Sequence, residues 1–277
     1  MRDIERKITE ASQYIRQRWP HLTQVGIVLG TGSGQIADAI SNAKQIAYAS
    51  IPHFPQSTAI GHKGSLVCGE LAGVRVIAMQ GRFHLYEGYS FDQVTLPIHV
   101  LVNMGIRRLL ISNAAGGVNP DFRKGEIMLI KSHLDFMWKT DQSLFRAQPT
   151  PKPMRGWSRA DSALDPALLD LAEGVARSKN FRLHRGVYAG VLGPNYETRA
   201  EYRMFGFIGA DAVGMSTIPE LSVAAYYGLK SLACSIITNE AVPDNLEKTS
   251  GQEVVKAGED ASGNLHQIFL AAASAAF

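Results

Sequence analysis

Basic, aromatic and hydroxyl side chains lie close together in residues 81–88, whose sequence is GRFHLYEG. The segment follows an apolar run and contains Arg82, His84 and Tyr86 at alternate positions. If the chain continues extended there, these three side chains project from one face. A guanidinium, an imidazole and a phenol together can bind an oxyanion and a sugar hydroxyl. The alternative is an exposed strand edge with ordinary polar residues. His62, at a separate glycine turn, would on its own more often be a surface residue.

A glycine-rich segment, residues 30–34 (GTGSG), directly follows a short apolar run at residues 25–29 and is expected to open a helix. Glycines let the backbone approach an anion, and a helix N-terminus favours negative charge. The segment also fits the GxGxxA form of a dinucleotide-binding motif, which requires an acidic residue about 20 positions later. No Asp or Glu occurs between Asp38 and Glu70. A phosphate-binding loop is therefore favoured over a dinucleotide site and over a purely structural turn.

The composition argues against several classes of protein. The 277 residues carry a formal net charge of +3 with scattered lysines and arginines, so no nucleic-acid partner is expected. No run approaches the roughly 20 apolar residues of a membrane span, and the charged N-terminus leads into no apolar signal segment. Cys68 and Cys234 are far apart and form no disulfide framework or zinc motif. We expect a cytoplasmic protein without a metal site or membrane association.

The pattern of apolar residues predicts an α/β fold. Short continuous or alternating apolar runs predict strands at residues 25–29, 107–112, 127–130, 186–192 and 230–238, with a hairpin at 66–81. Helical spacing predicts helices at residues 1–19, 91–104, 165–178, 198–207, 219–227 and 252–273, and residues 139–161 are expected to form a long surface loop. The alternation predicts one domain, residues 1–277, with a largely parallel central sheet. Ligands in such sheets gather at the carboxyl ends of the strands.

Seven segments together make the chain resemble the trimeric purine nucleoside phosphorylases along essentially its whole length. They are VLGTGSG (28–34), GHKG (61–64), GRFHLYEG (81–88), SNAAGGVNP (112–120), LGPNYET (192–198), VGMSTIPE (213–220) and SIITNEA (235–241). Each is a weak signal alone, but all seven occur in the family's order. The resemblance implies a single α/β domain around a mixed, distorted sheet, active as a homotrimer.

The resemblance also implies a role for individual residues. Phosphate contacts are implied for Thr31, His62, Arg82, His84, the backbone at Ala114, and Ser216. Ribose contacts are implied for Tyr86 and Met215, and purine contacts for Tyr196, Glu197, Thr238 and Asn239. Thr31 replaces the family's usual serine but keeps the hydroxyl. The residues expected to act in catalysis are Asn239, His84 and Glu197.

The chemistry of Glu197 and Asn239 predicts a preference for 6-oxopurines. An ionised Glu197 can accept hydrogen bonds from N1–H and from the 2-amino group of guanine. Adenine has no N1–H at neutral pH, and an unpaired buried polar group costs about 1–3 kcal/mol. Asn239 can offer its amide to N7 and O6, and this bond strengthens as the leaving purine gains negative charge. The structural alternatives are a helix-capping acid before Thr198 and a turn residue after a strand.

The reaction implied is phosphorolysis of inosine- or guanosine-type (deoxy)ribonucleosides to free purine and (2-deoxy)ribose 1-phosphate. The N-glycosidic bond stretches first, and phosphate then captures C1′ with inversion, so the protein supplies no nucleophile. His84 is expected to position phosphate rather than to act as a general base. Inorganic phosphate is the co-substrate, and neither a metal nor an organic cofactor is expected.

Two departures from the family pattern affect these expectations. Gly251 stands where the family commonly has a histidine that reaches the ribose 5′-hydroxyl. Selectivity at the 5′-position should therefore be relaxed, unless Ser250 or Gln252 substitutes. The long loop lacks the usual Arg-Phe-Gly context of the phenylalanine that enters the neighbouring subunit's site. Phe145 or Trp157 could serve there, or could simply anchor the loop.

Three other functions compete with this interpretation. A 5′-methylthioadenosine or methylthioinosine phosphorylase is favoured by Gly251, whereas Glu197 and Asn239 argue against the adenosine form. A nucleoside hydrolase would need an aspartate-rich calcium site near the N-terminus, which the sequence lacks. A non-enzymatic purine or phosphate sensor would keep the pocket without turnover.

Overall fold

The computed structural model describes residues 3–59, 61–137, 163–241, 243–244 and 250–276. The strands are β1 (Val25–Leu29), β2 (Ser41–Ala47), β3 (Ser65–Leu71), β4 (Val74–Gln80), β5 (Arg108–Gly117), β6 (Ile127–Asp135), β7 (Leu183–Gly190), β8 (Ala212–Gly214) and β9 (Lys230–Glu240). The α-helices are α1 (Asp3–Arg18), α2 (Phe91–Met104), α3 (Pro166–Lys179), α4 (Arg199–Phe207), α5 (Ile218–Tyr227) and α6 (Gly251–Ser274). None of these described helices has the length and apolar character needed to cross a membrane.

The strands form one mixed sheet in the order β2-β3-β4-β1-β5-β8-β7-β6-β9. Because β9 pairs with β5 as well as with β6, the strands β5, β8, β7, β6 and β9 close into a ring. β1 runs parallel to β4 and β5, and β5 runs parallel to β9, so the carboxyl ends of these four strands meet at one edge. The predicted fold class, one α/β domain on a mixed sheet flanked by helices, is confirmed.

Alternate residues of the central strands pack into two separate apolar clusters. Val28 and Ile111 face the cluster that includes residues of α1, α2 and α5. Ile27 and Leu110 face the opposite cluster, which includes residues of α3 and α6. A strand buried on both faces requires a continuous apolar run, which is what β1 and the first half of β5 have in the sequence.

Polar caps fix where the helices begin. Ser90, Thr198 and Ser250 each accept a hydrogen bond from the backbone N–H three residues later, and the Gln or Glu at that position returns a bond to the cap. α2 continues through Pro97 to a left-handed glycine at Gly105, as its predicted boundaries require. The predicted helices thus agree with the observed ones to within a residue or two.

Three expectations about local structure were wrong. The strand predicted at 107–112 is too short, because β5 continues to Gly117, where β8 and β9 pair with it. Residues 30–34 do not open an α-helix; they lead into the 3₁₀ helix Gly34–Ala39, which is too short for a helix-dipole argument. The strands β2 and β8 were missed, since β2 is exposed along most of its length and β8 has only three residues. The loop predicted at 139–161, including Phe145 and Trp157, lies outside the described residues.

Candidate active site

A cavity of about 420 Å³ opens at the edge of the sheet where β1, β4, β5 and β9 end. Its lining contains every residue predicted to contact a ligand: Thr31, His62, Arg82, His84, Tyr86, Ala114, Tyr196, Glu197, Met215, Ser216, Thr238 and Asn239. These residues come from segments far apart in the sequence. The structure therefore brings the whole predicted set into one site of the size expected for a small-molecule ligand.

Arg82 lies two residues after the end of β4, lines the cavity and is only 2% exposed. Its Nη1 group lies 3.2 Å from Oε1 of Glu220 and donates to the Thr217 hydroxyl at 3.0 Å. Nη2 donates to the carbonyl oxygen of Ser112. Nε is buried and has no hydrogen-bond partner among the described residues. The side chain as a whole lines the cavity, and a buried guanidinium suits an anionic ligand.

The loop after β1 lies beside Arg82. A Cβ on Gly30 would stand 2.6 Å from the Ser112 carbonyl oxygen and 3.3 Å from Arg82 Nη2, so only glycine fits there. Ser33 turns inward to bond the Gly30 carbonyl at 2.8 Å, which closes the loop on itself. Thr31 lies at the cavity, 3.5 Å from His62 Nε2. The loop thus offers a hydroxyl and backbone to a ligand, without the α-helix dipole that its sequence suggested.

Three aromatic rings form a stack along one wall. The ring centroids of His62 and His84 are 5.4 Å apart, and those of His84 and Tyr86 are 4.7 Å apart, with interplanar angles of 18° and 17°. His84 has extended backbone angles, but the chain then turns into the 3₁₀ helix Leu85–Glu87. That turn, rather than a continuing strand, places the Tyr86 ring on the His84 ring.

Glu87 fixes the orientation of the His84 ring. Its Oε1 atom lies 3.0 Å from His84 Nδ1, while Oε2 accepts from the Thr58 hydroxyl at 2.6 Å and the Thr58 N–H at 2.9 Å. Burial by itself raises the pKa of Glu87, but these hydrogen bonds outweigh it and lower the pKa to about 2. The carboxylate is therefore ionised at physiological pH, and the other ring nitrogen of His84 is left for a ligand.

Burial makes His62 a neutral group. Its Nδ1 atom lies 3.0 Å from the Arg82 carbonyl and 3.0 Å from the Ser57 hydroxyl. Burial, followed by the nearby charges of His84 and Arg82, lowers the pKa of His62 to about 3. The ring can therefore take part in hydrogen bonds, but it carries no positive charge at physiological pH.

The opposite end of the cavity has a carboxylate, a phenol and an amide side by side. The Tyr202 hydroxyl interacts with the side chains of both Glu197 and Asn239. Asn239 Oδ1 lies 3.3 Å from the Thr238 hydroxyl, which leaves its amide nitrogen for Tyr202 and for a ligand. Burial raises the pKa of Glu197, and the Tyr202 hydrogen bond partly opposes this change. Glu197 therefore does not cap α4; Thr198 is the cap.

Several lining residues were not predicted from the sequence, in particular Tyr202, Asn113, Thr58 and Val254. Tyr202 lies one turn into α4, where helical spacing marks it only as a core residue. Its two polar partners lie just before the cap of α4 (Glu197) and in β9 (Asn239). Gly251 and Val254 line the cavity at the start of α6. Gly251 has no side chain and that of Val254 is apolar, so neither residue offers a side-chain hydrogen bond. Ser250 is occupied as the α6 cap, where its hydroxyl lies 3.0 Å from Glu253 Oε2.

The fold and the composition of the cavity agree with a known family. Residues 24–274 match a family model described as the phosphorylase superfamily. The chain therefore belongs to the phosphorylase superfamily. Among the described residues, no group of three or more His, Cys, Asp or Glu side chains is arranged to hold a metal ion.

Within that superfamily, this chain is similar to purine nucleoside phosphorylases. Purine nucleoside phosphorylase 1 of Bacillus subtilis (strain 168) is 43% identical over 262 residues, covering 91% of this chain and 92% of that protein. Isoform 2 of purine nucleoside phosphorylase from Schistosoma mansoni, solved with cytosine and ribose-1-phosphate, is 35% identical with a TM-score of 0.86, covering 97% of this chain and 96% of that one. The Schistosoma mansoni enzyme in complex with inosine is 35% identical with a TM-score of 0.84, covering 96% and 94%.

Proposed function

We infer that this protein catalyses phosphorolysis of purine nucleosides of the inosine and guanosine type, giving a free purine and (2-deoxy)ribose 1-phosphate. One observation carries the inference. A single cavity is lined by the buried guanidinium of Arg82 and, further along, by the carboxylate of Glu197 and the amide of Asn239. Its relatives over more than nine-tenths of the chain are purine nucleoside phosphorylases.

We propose that phosphate occupies the end of the cavity floored by Arg82. Besides Arg82, the residues Thr31, Ser216, Ala114, His62 and His84 line this end. These are hydrogen-bonding groups of the kind that surround an oxyanion. The strong bond between His84 and an ionised Glu87 supports a positioning role for the ring.

We propose that the purine lies against Glu197 and Asn239, with Tyr196 and Thr238 nearby. Glu197 is the acceptor for N1–H, and the amide nitrogen of Asn239 donates to N7 or O6. Tyr202 holds both side chains, so they are oriented before a base arrives. The ribose then spans the middle of the cavity, where Tyr86 and Met215 line the wall.

In the proposed mechanism, the glycosidic bond lengthens before phosphate attacks. The sugar gains positive charge, the purine gains negative charge, and phosphate captures C1′ from the opposite face. Asn239 binds the departing base more strongly than the neutral substrate, which lowers the barrier. Inorganic phosphate serves as co-substrate, and we propose that the reaction uses neither a metal nor an organic cofactor.

A second substrate class is supported by one observation. Gly251 and Val254 are the residues that α6 presents to the cavity, so this helix offers no hydrogen bond to a 5′-hydroxyl. We propose that 5′-deoxy and 5′-methylthio derivatives of 6-oxopurine nucleosides are accepted beside the parent nucleosides. Glu197 disfavours the adenine forms, because adenine has no N1–H to donate to the carboxylate and a buried polar group would be left unpaired.

We also propose that the enzyme is a cytoplasmic homotrimer whose whole chain, 1–277, forms one catalytic domain. Free, buried cysteines fit a reducing compartment. Apolar side chains at the end of α4 support an assembly contact: Phe207 is 91% exposed, and Met204 and Ile208 are exposed beside it. Sedimentation velocity of the purified protein would measure the number of subunits.

The function is tested by purine release from inosine, guanosine, adenosine and 5′-methylthioadenosine, each with and without inorganic phosphate. We expect release from the two 6-oxopurine nucleosides, only when phosphate is present, together with one equivalent of ribose 1-phosphate. Release without phosphate would indicate a hydrolase. Phosphate and purine binding without turnover would indicate a sensor.

A further inference from the structure

Thr217, which the sequence did not mark as functional, has an unusual backbone conformation beside the cavity. Its φ and ψ angles are 74° and −42°, and the N–H of Ile218 bonds the carbonyl of Ser216 at 2.8 Å. This is a γ-turn with a β-branched central residue, a conformation that is rare and strained. Such strain persists only where surrounding contacts hold it, and it occurs most often at functional sites.

The contacts that hold the turn are all buried. The Tyr188 hydroxyl lies 3.2 Å from the Ser216 carbonyl oxygen and accepts from the Ser216 N–H at 3.3 Å. Thr217 itself is fully buried, so its hydroxyl points into the protein and cannot reach a ligand directly. Ser216 lies between this buried hydroxyl and the cavity, and it lines the proposed phosphate end.

The hydrogen bonds around the Thr217 hydroxyl fix where its proton goes. Arg82 Nη1 donates to the Thr217 oxygen at 3.0 Å, and Asn113 Nδ2 donates to it at 2.8 Å. A hydroxyl has two acceptor sites and one proton, so both acceptor sites are used. With both acceptor sites used in this way, the Thr217 hydroxyl can donate to the remaining neighbour, the Ser216 hydroxyl at 3.2 Å.

We propose that Thr217 is a positioning residue for phosphate: the Thr217 hydroxyl directs the proton of the Ser216 hydroxyl into the cavity. Because Ser216 Oγ accepts from Thr217, its own proton is free to be donated to an anion. The strained turn places the two hydroxyls side by side, and Arg82 and Asn113 fix the direction of the chain of hydrogen bonds. This inference rests on the proposed phosphate site and adds a residue that acts without touching the substrate.

The test compares Thr217→Val with Thr217→Ser. Valine keeps the shape and the β-branch but has no hydroxyl, so the phosphate KM should rise on the order of 10- to 100-fold, as for one lost hydrogen bond to a charged group. Serine keeps the hydroxyl and should restore a KM within a few-fold of the parent protein. Thr95→Val is the matched control, because Thr95 is an equally buried threonine whose hydroxyl bonds only helix carbonyls of α2. Its phosphate KM should not change.

A double-mutant cycle distinguishes this role from simple support of the fold. If Thr217 acts through Ser216, then Ser216→Ala combined with Thr217→Val should be little worse than either change alone. If the two effects multiply, or if Thr217→Val changes the phosphate KM less than twofold, the inference is wrong. Thr217→Gly adopts the same turn without strain and gives a second protein without the hydroxyl should the valine variant not fold.

Binding of inorganic phosphate separates this inference from the proposed function. Titration calorimetry without nucleoside should show weaker phosphate binding for the valine and glycine variants than for the serine variant. This holds whatever reaction the protein catalyses. Absence of phosphate-dependent purine release by the parent protein would refute the proposed function alone, whereas equal phosphate affinities across the variants would refute the role of Thr217 alone.

Discussion

Replacing either of two glycines in α6 by alanine should change the stability of the protein, in opposite directions at the two positions. A Cβ on Gly258 would stand 2.7 Å from the Cα of Gly32 and 2.9 Å from the carbonyl oxygen of Thr31. A Cβ on Gly263, one and a half turns further on, would meet nothing within 4 Å. Gly258 therefore lies directly against the backbone of the loop after β1, whereas Gly263 faces open space.

The magnitudes depend on this difference. Replacing glycine by alanine inside a helix stabilises it by about 1 kcal/mol, and nothing opposes this gain at Gly263. At Gly258 the new methyl group meets backbone atoms, which cannot move aside as the end of a side chain can. Overpacking of this kind costs about 1–3 kcal/mol. Gly263→Ala should therefore be more stable than the parent protein, and Gly258→Ala less stable or unchanged.

The same change should be visible in function. The backbone displaced by Gly258→Ala belongs to Thr31 and Gly32, at the proposed phosphate end of the cavity, so the phosphate KM should rise several-fold. Urea unfolding midpoints of both variants and the phosphate KM of each provide the comparison. If Gly258→Ala gained as much stability as Gly263→Ala and kept the parent KM, the close packing of α6 on this loop could not be correct.

Three further predictions concern single side chains. Asn239→Ala should lower kcat on the order of 100-fold, as for loss of one preorganised donor to the leaving group. A nearly normal rate in single-turnover assays would show that Asn239 does not stabilise the departing purine. Because burial raises the pKa of Glu197, kcat/KM for inosine should fall on acidification at a higher pH than an ordinary glutamate would produce; Glu197→Gln should lose that acidic limb, and an unchanged pH profile would contradict this. Glu220→Gln removes the charge opposite Arg82, so the phosphate KM should fall on the order of tenfold while kcat also falls; steady-state kinetics showing a higher KM would refute this.

Local sequence patterns predicted most of the fold and the site. β1 and β4 are largely buried strands that are each followed by a glycine, and because the two strands are parallel, the residues after each strand must lie at the same edge of the sheet. The loop after β1 and the segment that contains Arg82 therefore come together with no long-range information. The roles of Glu197 and Asn239 needed the family resemblance, because each residue type has an ordinary structural explanation at its position.

The parts that were missed depend on contacts between distant segments. β2 has one buried residue in seven, so no apolar pattern marks it, and only its pairing with β3 makes it a strand. Tyr202 has the spacing of a core residue in α4, yet its hydroxyl joins Glu197 to Asn239. Thr217 is an ordinary residue in the sequence, and its positive φ arises from how β8 meets α5. The roles of Tyr202 and Thr217 cannot be predicted from the spacing of residues along a single helix or strand.

The charge balance at the proposed phosphate end bears on how the reaction is accelerated. The positive charge of Arg82 is matched by Glu220 at 3.2 Å, with both side chains almost fully buried, and His62 is neutral because burial lowers its pKa to about 3. A bound phosphate would then be held by N–H and O–H dipoles rather than by excess positive charge. It would keep most of its own negative charge, which attracts the sugar only once the sugar becomes cationic. An interaction that grows along the reaction lowers the barrier, whereas one that binds phosphate equally throughout does not. The buried carboxylate of Glu220 thus weakens the binding of phosphate in the ground state and so favours the transition state.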